Sequence, residues 1–167
     1  MNPVLAHLLN AWSAIHAEYW LLWTLHWRAK GNEYYGDHLL YQRLYEARQP
    51  EIDRMAEVVA AVGGGGALEP VKGLESARAL VQRWESIPGP DAAKAVTAAQ
   101  TVMVAMKEAS DAAKGTPYAL AIDNAVGGIA DAHLESVYLL QQRLSGKPVS
   151  PRAGKAHRAY GSLRFFG

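Results

Sequence analysis

The chain has 167 residues, no cysteine and a net charge of +1, and half of its residues are hydrophobic. This length fits one domain with a single core, while the missing thiols exclude disulfides and thiolate chemistry, so a reducing compartment is the simpler expectation. The chain begins without a basic signal segment, and its most apolar run, Ala17 to Trp27, contains Glu18 and His26 and is too short for a membrane span. We therefore expect a soluble cytoplasmic protein with no membrane partner.

The charge is divided unevenly between the body of the chain and its C-terminal end. Five of the 17 basic residues and none of the 16 acidic residues lie in residues 146–167, so this segment carries +5. The remaining 12 basic and 16 acidic residues give the body −4. We therefore divide the chain into a body, 1–145, and a basic tail, 146–167, whose charge a functional hypothesis has to explain.

Apolar residues at helical spacing predict the first two long helices. Asn2 and Pro3 form the N-cap and first-turn pair that starts a helix, and the periodicity that follows predicts a first helix to about Lys30. After a stop at Gly31, a second helix is predicted over residues 35–62. Pro50 lies inside this second helix and should kink it.

The glycines at 63–66 end the second helix, and a short connector helix is predicted from Gly73 to Ser86. Asp91 is expected to cap a third long helix that runs to about Lys114. Thr116-Pro117 is expected to open a fourth that ends near Ser145. With no strand pattern, these elements predict an all-α fold, a four-helix bundle with a short helix in its long second connection, with the ferritin-like variety among the alternatives.

Two pairs of polar residues share one side of the predicted second helix. Gln42 lies one turn after His38, and Glu57 lies one turn after Asp53, so each pair shares a face. Because a helix advances about 1.5 Å and about 100° per residue, His38 and Asp53 point in similar directions but lie roughly 22 Å apart. One ion cannot bind to both ends of the same helix.

The histidine and carboxylate ends can meet if two copies of this helix pack antiparallel about a two-fold axis. The His38 end of one copy then meets the Asp53 and Glu57 end of the other, which builds two identical sites. His26, at the end of the first helix, lies beside His38 after the short turn and completes a set of two imidazoles and two carboxylates. Such a set suits iron, with zinc or manganese as competitors. The alternative is a solvated helix face and a chance pair of histidines.

The segments "LHWRAKGNEYYGDH" and "EIDRMAEVVAAVGG" are similar to the Dps family, the miniferritins that protect DNA during starvation. The resemblance lies in a His-Trp-x-x-x-Gly segment, a second histidine twelve residues after the first, and an Asp-x-x-x-Glu before glycine. It covers about 40 residues closely, while helix order, connector helix and length agree over residues 1–145. The segment "AHLESVYLLQQRL" is similar to the family's last helix only loosely.

This resemblance implies a hollow shell of twelve identical subunits that oxidises Fe(II) with peroxide or dioxygen, stores ferric mineral and protects against oxidative stress. It implies ferroxidase sites at two-fold interfaces with His26, His38, Asp53 and Glu57 as ligands. It also implies that Trp27 lies beside the centre, where it stacks on the site and accepts a stray oxidising equivalent.

One position departs from the family pattern. The family usually has an aspartate four residues after the second histidine, and here that position is Gln42. An amide oxygen is a neutral and weaker ligand for a hard cation, so the site loses one negative charge and binds a second iron poorly. Glu46, one turn further, is an alternative ligand.

Other residues carry weaker hypotheses. Asp123 and Asp131 are candidates for an acidic pore at a three-fold axis, with ordinary exposed acids as the alternative. The remaining histidines are expected to be structural, and an intrasubunit di-iron centre is disfavoured because Ala130 stands three residues before His133, where Glu is required. Three tryptophans of the first helix are expected in the core or an interface, namely Trp12, Trp20 and Trp23.

The basic tail suggests nucleic acid as a second partner. Several copies of the tail on one shell would bind phosphates with avidity and would place the protein on the nucleoid. The alternative is a tail docked on the shell through its apolar residues. The rival functional hypotheses are thus a DNA-compacting shell with impaired ferroxidase activity, and a plain helical bundle with no metal role. The candidate DNA-binding residues are Lys147, Arg152, Lys155, Arg158 and Arg164.

Overall fold

The computed structural model describes residues 2–146, which form five α-helices joined by short turns. Single turns of 3₁₀ helix at Gly31–Glu33 and Gly65–Ala67 precede the second and third helices. This part of the chain contains no strand, so the prediction of an all-α fold is confirmed. The helices are α1 Pro3–Arg28, α2 Tyr34–Gly63, α3 Pro70–Glu85, α4 Asp91–Ala113 and α5 Ala119–Ser145.

The four long helices form two closely packed pairs, α1 with α2 and α4 with α5. Helix α1 also packs against α4, and α2 contacts α5, so the two pairs close around a common interior. The shorter helix α3 lies mainly against α1. This arrangement leaves one side of α2 exposed along most of its length.

The turn between α1 and α2 reverses the chain within a few residues. Asn2 caps α1 by accepting a 3.0 Å hydrogen bond from the backbone N–H of Val4, as the sequence predicts. The helix ends at Arg28, two residues earlier than predicted. Gly31 follows at φ +80°, a left-handed conformation that is nearly free of strain only for glycine. This tight reversal places the end of α1 beside the start of α2.

Helix α2 runs without interruption from Tyr34 to Gly63 and includes Pro50. Its candidate residues His38, Asp53 and Glu57 therefore lie on one continuous helix. At the His38 end, the Asp37 carboxylate accepts hydrogen bonds from two guanidinium nitrogens of Arg143. This ion pair ties the start of α2 to the end of α5.

Three predicted helix starts differ from the structure. Helix α3 begins at Pro70 rather than Gly73, because proline fits the first turn, where its missing N–H is not needed. Asp91 is the first residue of α4 rather than its cap, and its carboxylate accepts a 3.1 Å hydrogen bond from Lys94. Helix α5 begins at Ala119, because the Thr116 hydroxyl donates to the Ala113 carbonyl and holds a turn before it.

The interior consists of two apolar clusters separated by a layer of buried polar side chains. One cluster lies at the Pro3 end of α1 and includes Leu8, Ile15 and Met106, and the other lies toward Arg28 and includes Leu25 and Trp84. The buried polar residues between the clusters are Glu18, Arg48, Glu51, His133 and Ser136.

Within the described residues, every helix falls short of the length and hydrophobicity that crossing a lipid bilayer requires. The proposed DNA-binding residues Lys147, Arg152, Lys155, Arg158 and Arg164 lie outside the described residues.

Candidate metal centre

His26 and His38 are brought together where α1 ends and α2 begins. Their ring centroids lie 3.7 Å apart with the planes inclined by 25°, so the two imidazoles are stacked. His26 is buried, with 5% of its surface exposed, and His38 is half-buried. The histidine pairing that the short turn predicts is therefore present in the structure.

The backbone fixes the tautomer of both rings. The His26 Nδ1 lies 2.9 Å from the His38 carbonyl oxygen, and the His38 Nδ1 lies 3.1 Å from the His26 carbonyl oxygen. Because a carbonyl oxygen only accepts, each Nδ1 carries a proton and donates it. In the neutral ring this leaves the lone pair on Nε2, the nitrogen available to a metal ion. Hydrogen bonds of this kind orient the ring and raise its basicity as a ligand.

Aromatic side chains surround this histidine pair. Trp27 is 69% exposed, and its ring lies edge-on to both imidazoles, with centroids 5.0 Å from His26 and 6.5 Å from His38. Tyr34 stacks on His38 at 5.1 Å, and Tyr45 lies edge-on to His26 at 5.4 Å. Trp27 therefore neighbours the histidines edge-on rather than stacking on them.

Gln42, the position that departs from the family pattern, is hydrogen-bonded along the helix. Its amide Nε2 lies 2.8 Å from Glu46 Oε1. A carboxylate only accepts, so this contact fixes the amide orientation and leaves the Gln42 carbonyl oxygen as its free acceptor. Gln42 is thus a neutral oxygen donor one turn from His38, with a carboxylate one turn beyond it.

Asp53 and Glu57 lie on the exposed part of α2, away from the histidines of the same chain. Glu57 accepts a 3.2 Å hydrogen bond from Arg54, and both carboxylates face solvent in the isolated chain. The rise of an α-helix places them roughly 22 Å or more from His38. Within residues 2–146 of one chain, no group of three or more histidine and acidic side chains is placed to hold a metal ion. One chain thus supplies two separated halves of the proposed ligand set.

The proposed pore residues lie on α5. Asp123 is exposed and accepts a 2.7 Å hydrogen bond from the Ser110 hydroxyl, and Asp131 is exposed two turns later. The acidic pore at a three-fold axis therefore stays a prediction.

A buried cluster of charged side chains, which motif spacing did not predict, lies at the centre of the fold. Arg48 donates to Glu51 at 2.9 Å and to the Ser136 hydroxyl at 2.8 Å. The His133 Nε2 lies 2.6 Å from Glu18 Oε2, and its Nδ1 lies 2.8 Å from the Ile129 carbonyl. These residues are buried. His133 is therefore a fully partnered structural histidine.

The two carboxylates of this cluster have opposite pKa shifts. Burial alone raises the pKa of the Glu18 carboxyl, but the nearby His133 and Arg48 outweigh burial and lower it. Burial raises the pKa of the Glu51 carboxyl, and Arg48 and His133 only partly oppose this. Glu18 is thus held as a carboxylate, while the protein environment favours the neutral form of Glu51.

A signal for this cluster was present in the sequence. Glu18 interrupts the most apolar run of the chain, and Arg48 and His133 fall on the inward faces of their helices. A charged residue in a buried stripe requires a partner of opposite charge. The inward-facing Glu18 therefore predicts an inward-facing basic residue on a neighbouring helix, and Arg48 and His133 are such residues.

Comparison of the chain with models of known protein families and with curated proteins gives no match.

Proposed function

We propose that this protein is a ferritin-like four-helix bundle that binds metal ions between subunits. More specifically, we propose a Dps-like miniferritin that oxidises Fe(II) and stores the ferric product inside a shell of twelve subunits. Iron is its substrate and cargo. The proposal rests on the resemblance of residues 25–38 and 51–64 to that family and on the geometry around His26 and His38.

The histidine pair is the observation that carries the proposal. Two imidazoles with both Nδ1 atoms held by backbone carbonyls are oriented before any ion arrives. These hydrogen bonds satisfy both Nδ1 atoms and leave both Nε2 atoms for a metal ion, and a ligand pair benefits because its orientation costs no entropy on binding. Aromatic rings also pack against both imidazoles, Tyr45 against His26 and Tyr34 against His38.

The carboxylates are proposed to come from a second subunit. Asp53 and Glu57 are exposed on α2, one turn apart, and within residues 2–146 they belong to no group of three histidine or acidic side chains that could hold a metal ion. An antiparallel two-fold contact between two α2 helices brings these carboxylates to the histidines of the partner. The resulting donor set of two nitrogens and two carboxylates leaves open positions for peroxide.

The reaction follows from this donor set. Two Fe(II) ions each supply one electron to hydrogen peroxide, which takes up two protons and gives two waters and two Fe(III). The carboxylates stabilise the higher charge of the ferric product. Because Gln42 contributes no charge, the second ion binds more weakly than the first. The contribution of the protein is geometry and charge.

The test measures ferric iron formation by absorbance after Fe(II) and hydrogen peroxide are mixed with the assembled protein. We expect His26→Ala to slow oxidation about 10- to 100-fold. The matched control is His7→Ala, another α1 histidine, whose partner is Glu108 and not the centre, and we expect it to behave as wild type. Wild-type rates in His26→Ala, or no ferric product in the wild type, would contradict the proposal.

A second candidate function is DNA compaction by the shell, and the uneven charge of the chain favours it. The +5 charge of residues 146–167 opposes the −4 of the body, so phosphate binding through the tail would keep DNA outside an acidic shell. Deletion of residues 147–167 should then abolish a gel shift of duplex DNA at low salt. A shift that survives the deletion excludes the tail as the DNA-binding element.

A further inference from the structure

A polar cavity of about 270 Å³ lies at the end of the bundle where α1 and α5 end and α2 and α4 begin. None of the four proposed metal ligands lines it, so it is separate from the metal centre. Drug-sized ligands occupy pockets of about 300–1,000 Å³, and a smaller cavity fits a small ion better. The charged residues that line the cavity are Arg28, Lys30, Asp37, Asp91 and Arg143.

Tyr41, near the start of α2, contributes a buried hydroxyl to this cavity. Only 3% of the residue is exposed, and it is part of the cavity wall. Burial and the carboxylates of Asp37 and Asp91 raise the pKa of the Tyr41 hydroxyl, and Arg143 opposes them only in part. The phenol oxygen therefore lies at the end of the ring that faces the charged residues of the cavity.

The carboxylates near this hydroxyl are bonded elsewhere. Both oxygens of Asp37 accept from Arg143, and Asp91 Oδ1 accepts from Lys94. Within residues 2–146 the Tyr41 hydroxyl has no hydrogen-bond partner. A buried donor without a partner costs free energy, and a ligand in the cavity that accepts its proton removes this cost.

The start of α4 adds free backbone donors to the cavity. Its N-cap is Pro90, which makes no side-chain hydrogen bond, and the Ala93 N–H bonds to the Pro90 carbonyl oxygen at 2.9 Å. Ala92 lines the cavity and is 5% exposed, and its N–H has no partner in the described part of the chain. The N-terminal end of a long helix carries a partial positive charge and binds anions through such amides.

The charged groups complete a site for an oxyanion that carries a proton. Three basic and two acidic side chains line the cavity, so positive charge is in excess. Arg143 uses Nε and Nη2 for Asp37, which leaves its Nη1 free as a donor. Asp91 uses only Oδ1 for Lys94, which leaves Oδ2 free as an acceptor among the described residues. The cavity therefore offers several donors together with one unpaired carboxylate oxygen.

We propose that this cavity binds free inorganic phosphate. At neutral pH phosphate is an anion that retains at least one proton. Its charged oxygens accept from the Tyr41 hydroxyl, the Ala92 N–H and Arg143 Nη1, and its P–OH group donates to Asp91 Oδ2. Sulfate and the phosphodiesters of DNA have no such proton at this pH, so the Asp91 carboxylate repels them. This inference does not depend on the proposed iron chemistry.

The test is isothermal titration calorimetry of the full-length protein at pH 7, with sodium phosphate, sodium sulfate or short duplex DNA in a phosphate-free buffer of constant ionic strength. We expect the wild type to bind phosphate at least about tenfold more tightly than sulfate, because like charges in contact repel. Tyr41→Phe removes only the hydroxyl and should weaken phosphate binding about tenfold or more, because a hydrogen bond to a charged group is lost. The control is Tyr138→Phe, an exposed tyrosine of α5 outside the cavity, which should keep the wild-type phosphate affinity.

A second variant and a second measurement test the same site. Asp91→Asn replaces the acceptor with an amide that can also donate, and we expect it to abolish the preference for phosphate over sulfate. Phosphate should also raise the unfolding temperature of the wild type more than that of Tyr41→Phe, because a ligand stabilises the fold that binds it.

Three results would overturn the proposal: no phosphate binding by the wild type, equal affinities for phosphate and sulfate, or wild-type phosphate affinity in Tyr41→Phe. Competition between phosphate and duplex DNA, or weaker DNA binding in Tyr41→Phe, would make nucleic acid the occupant and would also overturn it.

Discussion

His26 and His38 show how two residues of the same kind fix each other. Each ring donates its Nδ1 proton to the backbone carbonyl of the other residue, at 2.9 and 3.1 Å. Carbonyls at a helix end lack intrahelical partners, so the His26 carbonyl near the end of α1 is free to accept. The position of His26 at the C-terminal end of α1 therefore explains why its carbonyl can accept the proton of the His38 ring.

Gln42 gives a prediction at the residue scale. Gln42→Asp places a carboxylate one turn from His38, and we expect Fe(II) affinity to rise about tenfold, because ligand charge governs the affinity for hard cations. Titration of anaerobic protein with Fe(II), followed by calorimetry, measures this change. The control is Gln42→Asn, which shortens the side chain equally without adding charge and should not tighten binding. Equal affinities of the Asp and Asn variants would exclude Gln42 from the site.

Glu18 gives a prediction about stability and pH. Its pKa in the folded chain lies below the ordinary value of 4.5, so its carboxylate stabilises the fold above pH 4.5 and this contribution is lost as pH falls further. Glu51 has a raised pKa and the opposite sign, because the fold favours its neutral form and loses that advantage as pH rises.

We therefore expect Glu18→Gln to lower the free energy of unfolding by about 3–5 kcal/mol at pH 7, because Arg48 and His133 lose their buried partner. The difference from wild type should shrink below pH 4.5, and urea unfolding at pH 7 and pH 4 measures it. Glu135→Gln removes an exposed partner of Arg43 and should change stability by less than about 1 kcal/mol. A constant difference at both pH values would contradict the assignment of charge to Glu18.

At the scale of elements, α3 is held against α1 by a close contact between Gly73 and Trp12. A Cβ added at Gly73 would lie 2.5 Å from a carbon of the Trp12 ring, whereas a Cβ at Gly128 in α5 would meet nothing within 4 Å. Glycine at position 73 therefore permits close packing, although glycine is a poor helix former.

This contrast predicts opposite effects of the same substitution. Gly73→Ala should destabilise the protein by about 1–3 kcal/mol because the ring or the helix has to move. Gly128→Ala should stabilise it by about 0.5–1 kcal/mol because alanine favours the helix. Thermal unfolding of both variants measures the difference. Equal shifts would show that Trp12 accommodates the extra carbon.

Periodicity and helix-breaking residues predicted the helices well but missed the starts of three of them, α3, α4 and α5. Asn2 caps α1 as expected: Pro3 is the first residue of the helix, and the Asn2 side chain accepts from the Val4 N–H. Asp91 is instead the first residue of α4, and its carboxylate accepts a hydrogen bond from Lys94, three residues later. Such a choice between two local partners depends on energies that spacing does not reveal.

For the site, the short turn was enough to predict that His26 and His38 meet. Their stacking, their tautomers and the approach of Tyr45 depend on the packing of α1 against α2, which periodicity does not specify. The buried cluster of Glu18, Arg48 and His133 required the inward faces of three helices to be compared at once.

At the scale of the whole molecule, the central claim is that histidines of one subunit and carboxylates of its partner share a metal ion. A variant lacking the histidines, His26→Ala/His38→Ala, and a variant lacking the carboxylates, Asp53→Ala/Glu57→Ala, should each fail to oxidise Fe(II). In a two-fold pair that contains one subunit of each variant, one of the two sites is fully intact and the other lacks all four ligands.

The decisive measurement is iron oxidation after the two inactive variants are unfolded together and reassembled. Random pairing gives mixed pairs in half of the cases, so we expect activity to return to about one quarter of wild type, while each variant reassembled alone stays inactive. An inactive mixture in which mass spectrometry shows mixed assemblies, or activity in either variant alone, would contradict a metal centre shared between subunits.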